Sequence, residues 1–423
     1  PILTIVKVPA GRKRVVCTMT ATSLGLRHNI GQFSLLVLVN ALVGAMVGME
    51  RSVLGPLAET RFGLTSAAVL MQFLVAFGVA KALANCATAW LAPRYGRRWV
   101  LRLGWLLALP VPWMLGWAPN WGWIVAANVL LGLNQGLAWS STVVMKMDLV
   151  DDRQRGLAMG LNEFAGYLAV AVAAGATGWA AQRYGLGPQI FAVCGSVAIL
   201  GTLLSFTAVR QTEKHVAQAA TESRTERLCC PFAQATWKHP ALSSISQAGL
   251  VNNLNDALVW GFVPIILHSK GFNLTQIGQI AALYPAVWGV AQLATGPLAD
   301  RYSARNLIAL GMVIQALALA TMPWLRQPEH WVLASGLLGL GTALVYPTFL
   351  SGVAQWTHPS DRATALGIFR FWRDLGYALG ALLVGLLAHY FAPEIGILTV
   401  AALTLASGLA VAVRMPKNPN FKS

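Results

Sequence analysis

Four residues set the problem. Arg370, Arg373, Asp374 and Tyr377 recur at i, i+3, i+4 and i+7 inside one apolar run from Ala363 to Tyr390. That spacing puts all four on one face of a helix. The run is long enough to cross a bilayer and has no internal proline. An ionised side chain near the bilayer centre costs at least ~2.5 kcal/mol even on insertion scales. Three charges on one stripe therefore face a polar interior that other helices must build. The stripe can bind an anion or pair with a proton-carrying acid. A static ion-pair knot between helices is the structural alternative.

The remaining candidates lie in other apolar runs. Asp256 has Asn252 four residues before it, Asn253 three before it and Trp260 four after it. Buried charges in spans are costly and tend to be functional, so Asp256 is a candidate substrate or proton site. Glu163 is a second candidate proton carrier, or a structural acid at a helix end, and a direct bridge from it to the Arg373 stripe is left open. Glu50 and Arg51 are neighbours in sequence and point ~100° apart on a helix, so they cannot pair face to face. Lys81 is the expected partner of Glu50. Asn128, Gln135 and Trp139 form a stripe that lines a cavity or joins helices by hydrogen bonds. Trp139, Trp260, Trp372 and Tyr346 are the deeper aromatics, suited to an amphipathic or aromatic substrate.

These residues need a membrane frame, and the composition supplies one. Of 423 residues, 56% are hydrophobic and 11% charged, and the mean hydropathy is +0.58. This is the composition of a polytopic membrane protein. Twelve apolar stretches fit a ~30 Å hydrocarbon core: 31–56, 65–92, 98–118, 121–147, 156–180, 186–209, 242–268, 274–298, 305–325, 330–356, 363–390 and 394–413. They divide into a basic tail (1–30), a first six-helix bundle (31–209), a polar linker (210–241), a second bundle (242–414) and a short tail (415–423). The net charge of +16 does not indicate a nucleic-acid partner. Its Lys and Arg concentrate on one side, with Arg61, Arg183, Lys270 and Arg326 on the other. This positive-inside bias places both termini and the linker in the cytoplasm, facing anionic lipid. The five Cys are scattered without metal spacing, so no metal site is expected. The basic first residues show no signal peptide. No phosphate-binding loop or His-Glu-x-x-His occurs, which argues against an ATP-driven pump or a membrane enzyme. No cofactor is expected, and the chain is expected to be a monomer.

The two bundles are copies. Leu130-Leu131-Gly132-Leu133 recurs as Leu337-Leu338-Gly339-Leu340. At the same offset Arg94, Tyr95, Arg98 and Gly104 recur as Arg301, Tyr302, Arg305 and Gly311. A six-plus-six duplication with a central linker resembles the major facilitator superfamily. The turn after the second span keeps Arg94, Gly96, Arg97 and Arg98 of that family's gating motif, with Pro93 in place of its Asp. The turn after the eighth span keeps Gly296, Asp300, Arg301 and Arg305, with Ser303 in place of a Gly. Gly166 and Gly175 partly match an antiporter motif, with Ala176 where the family has Pro. The resemblance implies an all-α membrane protein of twelve transmembrane helices in two pseudo-symmetric six-helix bundles. It implies ion pairs at the inner helix ends and alternating access. Its closest look is to bacterial twelve-helix drug/proton antiporters of the inner membrane, with protons as coupling ion and a small organic compound as substrate. Uptake, anion transport, or a non-transporting sensor or assembly factor are the alternatives.

Overall fold

The computed structural model describes residues 24–51, 53–64, 67–222, 225–263, 266–267, 270–272 and 274–417. Twelve long helices follow one another: α1 (Ile30–Arg51), α2 (Ala67–Tyr95), α3 (Arg97–Gly116), α4 (121–149), α5 (Arg155–Tyr184), α6 (Pro188–Thr207), α7 (Pro240–Gly261), α8 (Leu274–Ala299), α9 (Ala304–Thr321), α10 (Pro328–Gln355), α11 (Arg362–Tyr390) and α12 (Pro393–Arg414). Among the described residues, nine are long and apolar enough to cross a membrane. The other three, α4, α7 and α8, also carry polar residues in their interiors. A π turn at Gln135–Trp139 interrupts α4, α7 holds Asn252, Asn253, Asn255 and Asp256, and α8 holds Tyr284 and Gln292.

Proline explains most departures from the expected boundaries. The first span was expected to run to 56, but α1 stops at Arg51 and a short helix follows at Leu54–Phe62, with Pro56 in its first turn. A missing N–H costs little there. The kink expected from Pro110 and Pro112 is a break between Ala108 and Val111. The linker is not plain coil: it holds a helix at Glu213–Glu222 and a π turn at Gln234–Lys238.

The duplication is visible in space. α1 packs on α5 and α2 on α4 in the first half, as α7 packs on α11 and α8 on α10 in the second. The halves meet along α5–α8 and α2–α11. Both described chain ends lie beside the linker. Gly25 donates its N–H to Leu149 O at 3.0 Å, and Arg414 Nη2 donates to Trp237 O at 2.5 Å. At this linker end the halves are closed on each other. A Cβ on Gly160 would stand 2.5 Å from Gln292 O, and one on Gly367 would stand 2.7 Å from Asn85 O. Only glycine permits such approach. At the far end they part. A Cβ on Gly175 would meet nothing within 4 Å, and a cleft of about 450 Å³ opens between Leu74, Val75, Ala257, Phe262, Tyr377 and Leu382.

Two unlike latches close the linker end. Asp300 accepts the N–H groups of Gly156 at 2.6 Å and Leu157 at 2.9 Å. These are first-turn donors of α5, which have no acceptor in their own helix. Asp300 thus caps a helix of the other half. The ion pairs expected at this turn do not form: the side chains of Arg301 and Arg305 make no ion pair among the described residues. In the first half, Pro93 lies inside α2 and has no N–H for the Ala89 carbonyl four residues back. Thr364 of α11 donates its hydroxyl to that carbonyl at 3.0 Å. The residue that loses the carboxylate thereby creates another bond between the halves. The expected ion pair does form at Arg97, which meets Asp148 at 2.8 Å. Gly96 turns the chain with φ +86, and Arg98 Nη2 caps α6 through Phe206 O at 3.0 Å.

Two predictions follow from this closed end. Gly160→Leu will lower the melting temperature of the purified protein, because overpacking costs about 1–3 kcal/mol, while Gly175→Leu will leave it unchanged. Equal melting temperatures would refute the close crossing of α5 and α8. Burial pushes the Asp300 carboxyl up to about 6, against the pull of the Leu157 and Gly156 N–H groups and Arg155. A raised folded pKa stabilises below the ordinary carboxylate value of 3.8, and this contribution is lost as pH rises through about 6. The melting temperature of the wild type should therefore fall relative to Asp300→Asn across that window; parallel curves would show that Asp300 does not titrate there.

Candidate functional site

The α11 stripe is buried where the two halves meet. Asp374 is its hub. Arg373 donates to Asp374 Oδ1 through Nε at 2.8 Å and Nη2 at 2.6 Å. Two residues of α2 reach the same carboxylate from the other half: Asn85 Nδ2 at 2.5 Å and Lys81 Nζ at 3.7 Å. Lys81 thus pairs with Asp374 and not with Glu50. The cause is the face-to-face packing of α2 on α11, which turns Lys81 and Asn85, one helical turn apart, towards the stripe.

Arg370 makes the second crossing. Its Nη2 lies 3.5 Å from Glu163 Oε1, and its Nη1 donates to Ser140 Oγ at 3.4 Å. α5 and α11 are not close neighbours, yet the bridge the sequence leaves open forms, through Arg370 and not Arg373. The length of the arginine side chain spans the gap. Glu163 Oε1 also accepts Trp139 Nε1 at 3.1 Å and Asn162 Nδ2 at 2.7 Å. The π turn in α4 ends at Trp139, and such turns re-aim side chains at functional sites. Trp139 is thereby aimed at Glu163, and Ser140, the next residue, at Arg370. Behind them Lys146 is fully buried and, among the described residues, is held by neutral oxygens, Leu36 O at 3.3 Å and Asn162 Oδ1.

Aromatic rings line the way from this ion network to Asp256. Tyr167 and Trp288 have centroids 4.0 Å apart, and Trp288 and Tyr346 4.8 Å. The hydroxyls of Tyr167 and Tyr346 lie 3.3 Å apart, and Arg373 Cζ sits 5.5 Å from the Tyr346 ring centroid. Tyr284 donates its hydroxyl to Asp256 and lies 3.2 Å from Thr342 Oγ1. Asp256 is buried and makes no ion pair among the described residues. It differs in this from Asp374, which sits among cations.

Several buried polar atoms of this interior have no hydrogen-bond partner among the described residues. They are Glu163 Oε2, Arg370 Nε and Nη2, Trp288 Nε1, and the side-chain amides of Asn252 and Gln292. Such groups are costly to leave unpaired. They are the donors and acceptors a polar ligand can satisfy.

Other candidates are placed differently. Trp260 is 48% exposed and turned outward. Asn128 donates to Ile124 O of its own helix at 3.1 Å, and Gln135 is buried in the π turn. Glu50 is fully buried at the far end of α1; the side chain of Arg51 lies outside the described residues. Tyr377 lies on the wall of the far-end cleft. Asn162 and Tyr167 were not singled out. One adjoins Glu163; the other matches Tyr377 with a three-residue slip from the repeat offset.

The two matches of one family model mirror the two halves. The Major Facilitator Superfamily model matches residues 36–248 and again 245–423. A multi-drug resistance efflux pump PmrA homolog of Lactococcus lactis is 20% identical over 65% of this chain and 67% of its own length. A probable anion transporter 4, chloroplastic, of Arabidopsis thaliana is 30% identical over 29% of this chain, and that stretch is 23% of its length. A probable L-galactonate transporter of Escherichia coli is 28% identical over 31% of this chain and 29% of its own length. In fold, the chain resembles the human organic anion transporter MFSD10 with a TM-score of 0.70 at 18% identity, over 91% of this chain and 99% of that one. It resembles the proton:xylose symporter XylE with a TM-score of 0.71 at 15% identity, over 92% and 97%. Matched by the family model along both halves, this membrane protein is a non-enzymatic transporter that belongs to the major facilitator superfamily.

Proposed function

We propose that this transporter couples proton movement to the export of a small organic compound across a bacterial inner membrane, with both termini and the linker in the cytoplasm. The observation that carries the coupling is the contrast between Asp256 and Asp374. Both carboxyls are buried. Asp374 is held by Arg373, Lys81 and Asn85, and a proton there would break three contacts. Asp256 is held by the Tyr284 hydroxyl and can gain or lose a proton without breaking an ion pair. Glu163 is the second acid, tied to Arg370 across the halves.

In this reading the closed linker end makes the structure outward-facing. Substrate and proton meet at the aromatic wall between Tyr167, Trp288 and Tyr346. The two bundles then rock about that level: the Asp300 and Thr364 latches release, and the far end closes. The efflux relative in Lactococcus lactis supports a drug-like organic substrate.

A second reading, transport of an organic anion, is favoured by one observation. Arg370 Nε has no hydrogen-bond partner among the described residues, and its Nη2 is held by Glu163 only at 3.5 Å; a substrate carboxylate that takes this fork would compete with Glu163. Flux of radiolabelled organic anions and cations through proteoliposomes, under an imposed pH gradient, separates the readings.

Asp256→Asn should abolish proton-driven accumulation while keeping substrate exchange, because exchange needs no net proton movement, and its melting temperature should stay near wild type. Intact proton-driven accumulation would remove Asp256 from the mechanism. Glu163→Gln strips Arg370 of its buried counter-charge, and breaking such a pair costs about 3–5 kcal/mol. It should melt well below wild type, and an unchanged melting temperature would refute the pairing.

A further inference from the structure

A pocket of about 510 Å³ lies at the linker end, away from the interior site. Three parts of the chain build it. The turn after α2 supplies Pro93, Arg94 and Arg97, the linker supplies Glu213 and Arg227, and the turn before α11 supplies Ser360. Three guanidiniums thus face one carboxylate. Arg97 is paired from behind by Asp148 at 2.8 Å, and Arg227 by Asp361 at 2.7 Å. Arg97 is only 6% exposed, yet its Nη2 has no hydrogen-bond partner among the described residues. Arg94 is exposed and makes no hydrogen bond or ion pair among the described residues. Glu213 lines the pocket beside Gly96; with its side-chain amide turned over, Gln211 donates to both Glu213 oxygens, at 2.8 and 3.0 Å.

The position in the repeat is informative. Asp300 carries the negative charge at this turn of the second half, and in the first half the equivalent residue is Pro93. The charge is missing on the side where Arg94, Arg97 and Arg227 converge. We propose that this pocket binds a phosphate-class oxyanion, which supplies the charge that Pro93 lacks and ties the first half, the linker and the turn before α11 together. Guanidinium forks match the paired oxygens of a phosphate, and the Ser360 hydroxyl adds a donor from the second half. The anion is either a phosphate free in solution or the headgroup of an anionic phospholipid. The exposed rings of Tyr95 and Trp99 beside the pocket are of the kind that sit at headgroup level. A bound anion would hold the linker end shut without entering the transport path.

The test uses the full-length, delipidated protein. In one arm, thermal shift is followed with inorganic phosphate against chloride at equal ionic strength. In the other, in buffer without inorganic phosphate, nanodiscs of zwitterionic phosphatidylcholine are compared with nanodiscs containing anionic phosphatidic acid. A rise in melting temperature with phosphate alone identifies a soluble anion, and a rise with phosphatidic acid alone identifies a headgroup. A rise in both arms identifies a site for either. In each case Arg94→Gln should weaken the response about ten- to a hundredfold in half-saturating ligand, the effect of losing one charge-assisted contact. Glu213→Gln should strengthen it by removing the opposing charge. Arg94 is exposed and unpaired, so Arg94→Gln should melt like wild type without ligand. The proposal is overturned if neither ligand raises the melting temperature above its control, or if Arg94→Gln responds as the wild type does.

Discussion

A charge buried in a membrane protein needs a partner, and for Asp374 and Arg370 part of that partnership comes from the opposite half. Asp374 and Arg370 both project from α11 of the second bundle. The first is held by Lys81 and Asn85 of α2, the second by Glu163 of α5 and Ser140 of α4. Leaving either charge unpaired costs several kcal/mol. The polar residues of one bundle therefore dictate how the other sits against it. The glycine crossings at Gly160 and Gly367 allow the helices to approach closely enough for these side chains to meet. The same dependence makes the interface a switch: a ligand that satisfies Arg370 or Glu163 competes with the bond between the halves.

The linker end shows how a duplicated fold tolerates divergence. Both halves began with a turn of the same pattern, and each now closes by different chemistry. Asp300 caps α5. At Pro93 the lost N–H exposes the Ala89 carbonyl, and Thr364 takes it. The Asp300 latch is an ionisable carboxyl and the Thr364 latch a neutral hydroxyl.

Much of this was legible in the sequence. The membrane class, the duplication and the polar face of α11 follow from composition, from Leu130–Leu133 recurring at Leu337–Leu340, and from helical spacing. The partners were not legible, because pairing across bundles depends on how the bundles sit together. Lys81 was assigned to Glu50 from its place among polar spans, yet the packing of α2 on α11 turns it to Asp374. Trp260 follows Asp256 by one helical turn, but the helix axis turns it outward. The role of Trp139 depends on a π turn that leaves no clear mark in the sequence. Asn162 and Tyr167 are ordinary residues whose importance comes from who stands opposite them.

The central claim is that one interior site is shared by two bundles that rock, with ends that open in opposition. Paired spin labels measure this directly, in a background without native thiols. Tyr95 and Tyr302 are exposed at the linker end of opposite halves, and Tyr184 and Tyr390 at the far end. With each pair replaced by labelled cysteines, the apo protein should show a narrow distribution at the linker end and a wide one at the far end. A transported substrate, or Glu163→Gln, should widen the first and narrow the second together. Distances that stay fixed in both pairs, or that widen at both ends at once, would contradict a rocking transporter.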